Sequence, residues 1–177
     1  AKASLGELAA ELSSARLEAR VDPLTKLANR RAFDERLAEC RSRLDRGGTP
    51  YAVAVFDVDR FKPINDAHGH RVGDGVLVHL ASLLKAHVRA SDSIGRLGGD
   101  EFALIVWQIA PDAAAAKAES LETIVAASPY AHAISAGLAV LAADDTPQTA
   151  LARADAAMYR RKRARLLPSP GRERGRG

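Results

Sequence analysis

Residues 51–59 of the chain read YAVAVFDVD, an apolar segment that ends in acid. From Tyr51 to Val58 the segment is β-branched and apolar on both faces, which is typical of a strand in the middle of a sheet. Asp57 and Asp59 stand where this strand ends. The pattern predicts a buried central strand that carries carboxylates at one edge of its sheet.

The segments around this strand show the periods of helices and of shorter strands. Helical periods lie at residues 29–44, 72–88, 112–127 and 146–165. Further strands are predicted at 132–140 and in a hairpin at 95–106, which turns at Gly-Gly-Asp-Glu. This order predicts an α/β (α+β) sandwich, a central mostly antiparallel sheet flanked by helices. A doubly wound parallel sheet fits less well, because the hairpin interrupts the alternation.

Size and composition predict one globular domain with appendages. The 177 residues, 47% of them hydrophobic, suffice for one sizeable core. The longest apolar run is far shorter than the roughly 20 residues of a bilayer span, and no secretory signal opens the chain. A cytoplasmic protein, or the cytoplasmic part of a larger sensor protein, is therefore expected. The single cysteine, Cys40, excludes an internal disulfide and is expected to be inert.

The net charge of +4 is concentrated near the C-terminus. From Arg160 onward there are eight Lys/Arg and one acid, Glu173. Removing these from the totals of 26 basic and 22 acidic residues leaves 18 and 21, a balance of −3. A platform that binds single-stranded nucleic acid requires aromatic residues among the basic ones, and this basic region has none. No nucleic-acid partner is therefore expected.

The N-terminal region has a helical pattern of its own. Leu5, Leu8, Leu12, Ala15 and Ala19 form one apolar seam at three-four spacing. A helix this short needs a partner, so it either lies on its own domain or, as we favour, is the stub of a dimeric coiled coil that enters from an upstream module. The predicted organisation is this stub, the globular domain and a disordered basic tail with nothing to bury, at residues 1–21, 22–166 and 167–177.

Acidic residues are placed where strands end. If the hairpin neighbours the central strand, Asp100 and Glu101 at its turn converge with Asp57 and Asp59. Two carboxylates about 4 Å apart repel by roughly 4 kcal/mol at an effective dielectric near 20, so such a cluster needs a cation. Oxygen ligands select Mg²⁺ or Mn²⁺. A pair of such ions at strand ends is typical of phosphoryl or nucleotidyl transfer.

The segment after the central strand supplies groups that suit a nucleotide. Phe61 and Lys62 offer backbone amides and an ammonium to phosphates, on a predicted loop. Asn65 and Asp74 match the donors and acceptors of a guanine edge, which adenine does not satisfy. Taken singly, each has an ordinary explanation, such as a helix cap for Asp74 or a solvated side chain for Lys62. Their joint arrangement favours a nucleotide site.

Five motifs, in order along the chain, resemble those of the GGDEF family of diguanylate cyclases. They are DPLTKLANRR at 22–31, FDVDRFKPIND at 56–66 with Gly-His at 69–70 and Gly-Asp at 73–74, RLGGDEF at 96–102, ISAG at 134–137 and ADAAMY at 154–159. The resemblance covers residues 22–162. It implies a fold like that of nucleotidyl cyclases and polymerase palms, and the condensation of two GTP into cyclic di-GMP and two pyrophosphates.

The resemblance also implies roles for single residues. Asp57, the backbone carbonyl of Val58, Asp100 and Glu101 would hold two Mg²⁺ (or Mn²⁺) ions per active site, and Asp100 would help to deprotonate the ribose 3′-hydroxyl. The remaining contacts to GTP would be guanine contacts from Asn65 and Asp74 and phosphate contacts from Phe61, Lys62 and Lys162. Each subunit would present one GTP, so the active form would be a homodimer, fused to an upstream sensory module.

A product-inhibition site is implied by RASD at residues 89–92, where the family carries its R-x-x-D motif. Arg89 would grip guanine edges and phosphates of cyclic di-GMP, and Asp92 would accept from a guanine. The ordinary alternative is a surface ion pair at a helix end.

Three departures from the family pattern affect the predicted site. Lys26 replaces a glycine of the opening motif, and Pro63 removes an N–H beside the phosphate-binding segment. The family's Gly-Arg-Asn after the last helix is missing, so its phosphate contact either comes from Arg163 or Arg165 or is lost.

Two other functions remain open at the level of sequence. One is a catalytically silent module that binds GTP or cyclic di-GMP and transmits a signal, although intact Asp57, Asp100 and Glu101 argue against it. The other is a magnesium-dependent cyclase or palm domain for another nucleotide, which would not need the guanine contacts of Asn65 and Asp74.

Overall fold

The central strand of the computed structural model is β1, Ala52–Val58, as the apolar segment predicts. It pairs on one side with β3, Glu101–Val106, and on the other with β4, Ile134–Val140. The strand β2, Ser93–Gly98, pairs with β3 and completes a four-stranded antiparallel sheet in the order β2-β3-β1-β4. The predicted hairpin therefore does neighbour the central strand.

The structure describes residues 4, 6–7, 19–48, 50–128, 134–141 and 144–166. Most of the predicted N-terminal helix and all of the predicted tail at 167–177 lie outside the described residues.

Five helices lie wholly within these described ranges. They are α1 Arg30–Asp45, α2 Phe61–His68, α3 His70–Ala86, α4 Pro111–Ala126 and α5 Pro147–Leu166. Four of them match the predicted helices to within a few residues. The fifth, α2, is a correction, because residues 61–68 were predicted as a loop. Phe61 and Ile64 pack against the core, and this burial stabilises the short helix. Most of its other residues are polar, so the sequence shows no clear helical period there.

Side chains of β1 alternate between two cores, as the period of a strand requires. Ala54, Phe56 and Val58 face a core shared with α3 and α4. Val53 and Val55 face a second core, shared with α1 and α5. The helices thus cover both faces of the sheet, and the predicted sandwich is confirmed.

The same alternation orients the acids. Asp57 lies on the same face of the sheet as Val53 and Val55. Its partner across the antiparallel ladder, Glu101, lies on the same face as Ala103. Both carboxylates therefore lie on the side of the sheet that α1 and α5 cover. None of the described helices combines the length and apolar character that crossing a bilayer requires.

Candidate active site

The predicted acidic edge is formed where β1 meets the β2–β3 hairpin. Asp57 and Glu101 are paired across the antiparallel ladder, and the Val58 amide donates to the Asp100 carbonyl oxygen at 3.3 Å. The turn itself needs glycine, because Gly98 and Gly99 have φ angles of 147° and 49°. The structure thus brings three of the predicted metal ligands, and the backbone of Val58, to one edge.

An arginine that the sequence analysis did not single out holds this hairpin. Arg96 donates through Nε and Nη2 to the Gly99 carbonyl oxygen, at 3.0 and 2.7 Å. Its Nη1 lies 3.2 Å from a carboxylate oxygen of Asp22, which also accepts from the amide and hydroxyl of Thr25. Burial alone would raise the pKa of Asp22, but these hydrogen bonds outweigh it and hold the pKa below its usual value. The opening motif is thereby fastened to the hairpin tip.

Burial and mutual repulsion act on the acidic edge. Burial is the main cause that raises the pKa of Asp57, opposed by Lys162 and reinforced by Asp100 and Asp59. Burial also raises the pKa of Glu101, with further repulsion from Asp155, Asp57 and Asp100. Both pKa values are thus raised mainly by burial, and the neighbouring carboxylates add to the shifts.

The donors at this edge fit a hard divalent cation, because all of them are oxygens. Asp57, however, is in contact with the ammonium of Lys162 from α5. Within the part of the chain that the structure describes, no three His, Cys, Asp or Glu side chains form a ready-made metal site. The Lys162 ammonium is the positive charge that accompanies Asp57 in this arrangement.

The predicted guanine-contacting residues lie on α2 and α3, which follow β1 directly. A Cβ built on Gly73 would come within 1.9 Å of the Asn65 side-chain oxygen, so glycine permits the close approach of the two helices. This Asn65 oxygen is buried, and among the described residues it has no hydrogen-bond partner. Asp74 and Lys62 are exposed. Phe61 packs partly on the core, so its backbone rather than its ring remains the suitable phosphate contact.

The predicted product-inhibition pair lies at the far end of β2 from the hairpin tip. Six residues of strand separate the two ends, which is about 17 Å at the usual rise per residue. Asp92 accepts from the Arg89 amide at 3.0 Å and from the Trp107 amide at 3.3 Å. The motif is therefore a closed turn, away from the acidic edge, and Arg89 is exposed.

The structure accounts for the first two departures from the family pattern. Lys26 adopts the left-handed backbone conformation, with φ 60°, which explains why glycine suits this position. Pro63 is the third residue of α2, and backbone N–H groups in a first helical turn have no partner within the helix. Neither residue interrupts the local backbone.

The third departure concerns the end of α5. Arg165 donates to the Ile134 carbonyl oxygen at 2.5 Å and pairs with Glu122 at 2.6 Å. Arg163 is exposed. Of the basic residues of this segment, Lys162 contacts Asp57, whereas Arg165 lies 3.6 Å from Asp59.

A cavity of about 290 Å³ adjoins the edge on the α1–α5 side of the sheet. Leu37, Val55 and Leu151 contribute apolar walls, whereas Glu101 and Asp155 contribute charge. Cys40 is fully buried near this side, and burial raises its thiol pKa to about 11, in agreement with the expected inertness.

Comparison with known proteins identifies relatives along most of the chain. A sequence profile described as "Diguanylate cyclase, GGDEF domain" matches residues 19–166. The bifunctional diguanylate cyclase/cyclic di-GMP phosphodiesterase MucR of Pseudomonas aeruginosa is 41% identical over 149 residues, which is 80% of this chain and 22% of MucR. The response regulator PleD of Caulobacter vibrioides is 39% identical over 151 residues, 80% of this chain and 33% of PleD. The chain thus spans a third or less of these two relatives.

Solved structures agree with these relatives. The coiled coil and GGDEF domain of DgcB from Caulobacter crescentus, solved in complex with cyclic di-GMP, superposes with a TM-score of 0.85. It is 32% identical, and the match covers 90% of this chain and 89% of that one. The diguanylate cyclase SiaD of Pseudomonas aeruginosa, solved with its activator SiaC, has a TM-score of 0.78 at 34% identity, with 90% of this chain and 64% of that chain covered.

Proposed function

Because the chain belongs to the GGDEF family of diguanylate cyclase domains, we propose that it condenses two GTP into cyclic di-GMP and two pyrophosphates. The observation that carries this proposal is the acidic edge, where Asp57, Asp100 and Glu101 are all present and Lys162 lies beside them. A silent nucleotide-binding module would not need this concentration of carboxylates.

Different residues of the site bind the guanine base and the phosphates of GTP. Asn65 and Asp74 bind the guanine edge, and the buried Asn65 oxygen, which has no hydrogen-bond partner in the described part of the chain, supports this role. Lys62 and Lys162 bind phosphate oxygens, together with backbone amides at Phe61. Because Lys162 contacts Asp57, its ammonium is already within reach of the edge where the reacting phosphate must lie.

Asp57, Asp100, Glu101 and the Val58 carbonyl are the groups that would hold two Mg²⁺ or Mn²⁺ ions. Such ions lower the pKa of an attacking hydroxyl and neutralise a leaving pyrophosphate. Asp100, at the exposed turn of the hairpin, helps to take the proton of the ribose 3′-hydroxyl. Glu101 is fixed by the β1–β3 ladder and keeps the edge negative.

The active species is a homodimer in this proposal, because cyclisation joins two GTP molecules and each acidic edge serves one. The chain spans a third or less of MucR and PleD, and an upstream sensory module is part of the proposal. The N-terminal segment 1–21 would connect the two as a coiled-coil stub, and the coiled coil of DgcB supports this. A cytoplasmic location stays a prediction.

Product inhibition at Arg89 and Asp92 is also proposed. Two backbone amides already hold the Asp92 carboxylate, so the turn is rigid and presents the exposed Arg89 side chain. A guanidinium can fork onto a guanine edge or a phosphate of cyclic di-GMP. Inhibition from this turn acts across the length of β2 and not by occupying the acidic edge.

The test is to incubate the purified chain with GTP and Mg²⁺ at several protein concentrations and to resolve the nucleotides by chromatography. We expect cyclic di-GMP, formed faster per molecule at higher protein concentration and more slowly when product is added at the start. Asp100→Ala should abolish it, whereas Asp144→Asn, on an exposed acid outside the site, should not. Binding of GTP without any product would contradict the proposal and favour the silent module.

A further inference from the structure

A buried carboxylate on α4 lies outside the groups assigned so far. Glu122 has only 8% of its side chain exposed. Its Oε1 accepts from the Ala136 amide at 2.7 Å, and its Oε2 pairs with Arg165 at 2.6 Å and with Arg161 at 3.1 Å. A buried carboxylate without partners would be costly, and these donors satisfy both of its oxygens.

The two arginines connect this carboxylate to the end of β1. Arg165 lies 3.6 Å from a carboxylate oxygen of Asp59. The other oxygen of Asp59 accepts from the Ser135 hydroxyl at 2.7 Å. We call Glu122, Arg161, Arg165, Asp59 and Ser135 the Glu122 network. It joins α4, α5, β4 and the end of β1 at one place.

Two arginines of the Glu122 network, Arg161 and Arg165, stand on either side of Lys162 in the sequence. Arg161 and Arg165 are four residues apart and therefore lie on one face of α5, one turn from each other. Two anchors one turn apart fix both the rotation and the axial position of this part of the helix. Lys162, next to the first anchor, is then presented on the adjacent face, where its ammonium contacts Asp57.

We propose that Glu122 is a positioning residue for Lys162, acting through Arg161 and Arg165 to place the Lys162 ammonium where a GTP phosphate binds. This inference rests on the proposed function. It also assigns Arg165 a structural task, because contacts to Glu122, Asp59 and the Ile134 carbonyl oxygen already occupy its guanidinium. Because the family's Gly-Arg-Asn is missing, Lys162 is then the residue of α5 that contacts phosphate.

The experiment is a double-mutant cycle between Glu122→Gln and Lys162→Met, read as the Kd for 3′-deoxy-GTP with Mg²⁺ by calorimetry and as KM and kcat for GTP. With Lys162 present, Glu122→Gln should raise Kd and KM on the order of tenfold, with a smaller change in kcat. In the Lys162→Met background the same substitution should change them less than about twofold. Equal losses in both backgrounds would show a purely structural role and overturn the proposal.

Two further variants keep the test decisive. Arg161→Gln removes one anchor whose side chain is 42% exposed, so the protein should fold even if Glu122→Gln does not. It should raise Kd several-fold, again only when Lys162 is present. Glu119→Gln, on an exposed position of the same helix, should change nothing. When Kd is measured with 3′-deoxy-GTP, which lacks the attacking hydroxyl, no turnover occurs. A chain that binds this nucleotide but makes no cyclic di-GMP from GTP would refute the proposed function while the cycle still reports on Glu122.

Discussion

At the scale of single residues, folding brings several carboxylates together at the acidic edge, where their ionisation opposes folding. Asp57 and Glu101 are partly buried and close to other carboxylates, and burial raises the pKa of each. A group that binds its proton more tightly in the folded state opposes folding once it is ionised. We therefore expect ionisation of these two carboxylates to lower the stability of the metal-free protein, a common trade-off at functional sites.

Glu101→Gln should stabilise the metal-free protein at neutral pH and abolish cyclase activity. Because the folded-state pKa of Glu101 is raised, its ionisation lowers the free energy of unfolding as pH rises through the window above its ordinary value of 4.5. The gain should be about 1 kcal/mol or less at pH 7, since the side chain is only partly buried. It should vanish below about pH 4.5.

Urea unfolding in EDTA at pH 7.0 and 4.5, beside a product assay, measures both effects. Glu119→Gln, an exposed glutamate, should leave stability unchanged at both pH values. A Glu101→Gln protein that is less stable than the parent at pH 7 would contradict the interpretation of the edge.

Lys26→Gly should stabilise the fold, because Lys26 holds a φ of 60° in the opening turn. A side chain in this conformation costs about 1–2 kcal/mol, part of which is offset by the greater freedom of glycine in the unfolded chain. We expect a net gain of about 0.5–1 kcal/mol in thermal or urea unfolding. Lys26→Ala retains the strain and should show no gain; an equal gain from alanine would mean that the lysine side chain, and not its backbone, is responsible.

At the scale of elements, the hairpin depends on a contact between distant parts of the chain. The β2–β3 turn carries Asp100 and Glu101, and its Gly99 carbonyl is held by Arg96. Arg96 is in turn held by Asp22 of the opening motif. The position of this turn therefore depends on a clamp, in which Arg96 of β2 links the turn to Asp22 of the opening motif, as well as on the geometry of the hairpin.

Asp22→Asn should weaken this clamp, costing about 1–3 kcal/mol of stability at pH 7 and slowing cyclic di-GMP formation several-fold. The folded-state pKa of Asp22 is lowered, so its contribution is fully present above the ordinary value of 3.8 and is lost as pH falls through the lowered value. The difference between parent and variant should thus be constant from pH 7 to 5 and shrink towards pH 3.

Urea unfolding across this pH range tests the clamp. Glu39→Gln, which breaks the exposed Arg36–Glu39 pair, should cost less than about 0.5 kcal/mol. If Asp22→Asn is equally mild at pH 7, the clamp does not hold the hairpin.

At the scale of the whole molecule, α5 connects the sheet to the site. It packs on β4 and β1 through Ala150, Ala154 and Met158, and its C-terminal half brings Lys162 to Asp57. The approach to β4 is so close that a Cβ on Gly137 would come within 2.0 Å of the Ala154 carbonyl oxygen and 2.1 Å of the Met158 nitrogen. Both are backbone atoms, so they cannot move away by a side-chain rotation.

Gly137→Ala should therefore lower the free energy of unfolding by about 3 kcal/mol or more, because α5 must move off the sheet. Gly75→Ala is the matched control, since nothing lies within 4 Å of its added Cβ on the exposed side of α3. It should be neutral or stabilise by up to about 1 kcal/mol through helix propensity. Comparable stabilities of the two variants would contradict the packing described for α5.

The sequence alone determined the central strand, the sandwich and the acids at its edge, because strand and helix periods are local and each side chain's face follows from them. The Gly98–Gly99 turn was equally predictable, since its backbone requires glycine. The tertiary structure alone decided that residues 61–68 form a helix, that Arg96 reaches Asp22, and that Glu122 anchors the segment around Lys162. These depend on burial and on ion pairs between distant residues, such as Arg96 and Asp22, which are 74 positions apart, and no periodic pattern in the chain marks such pairs.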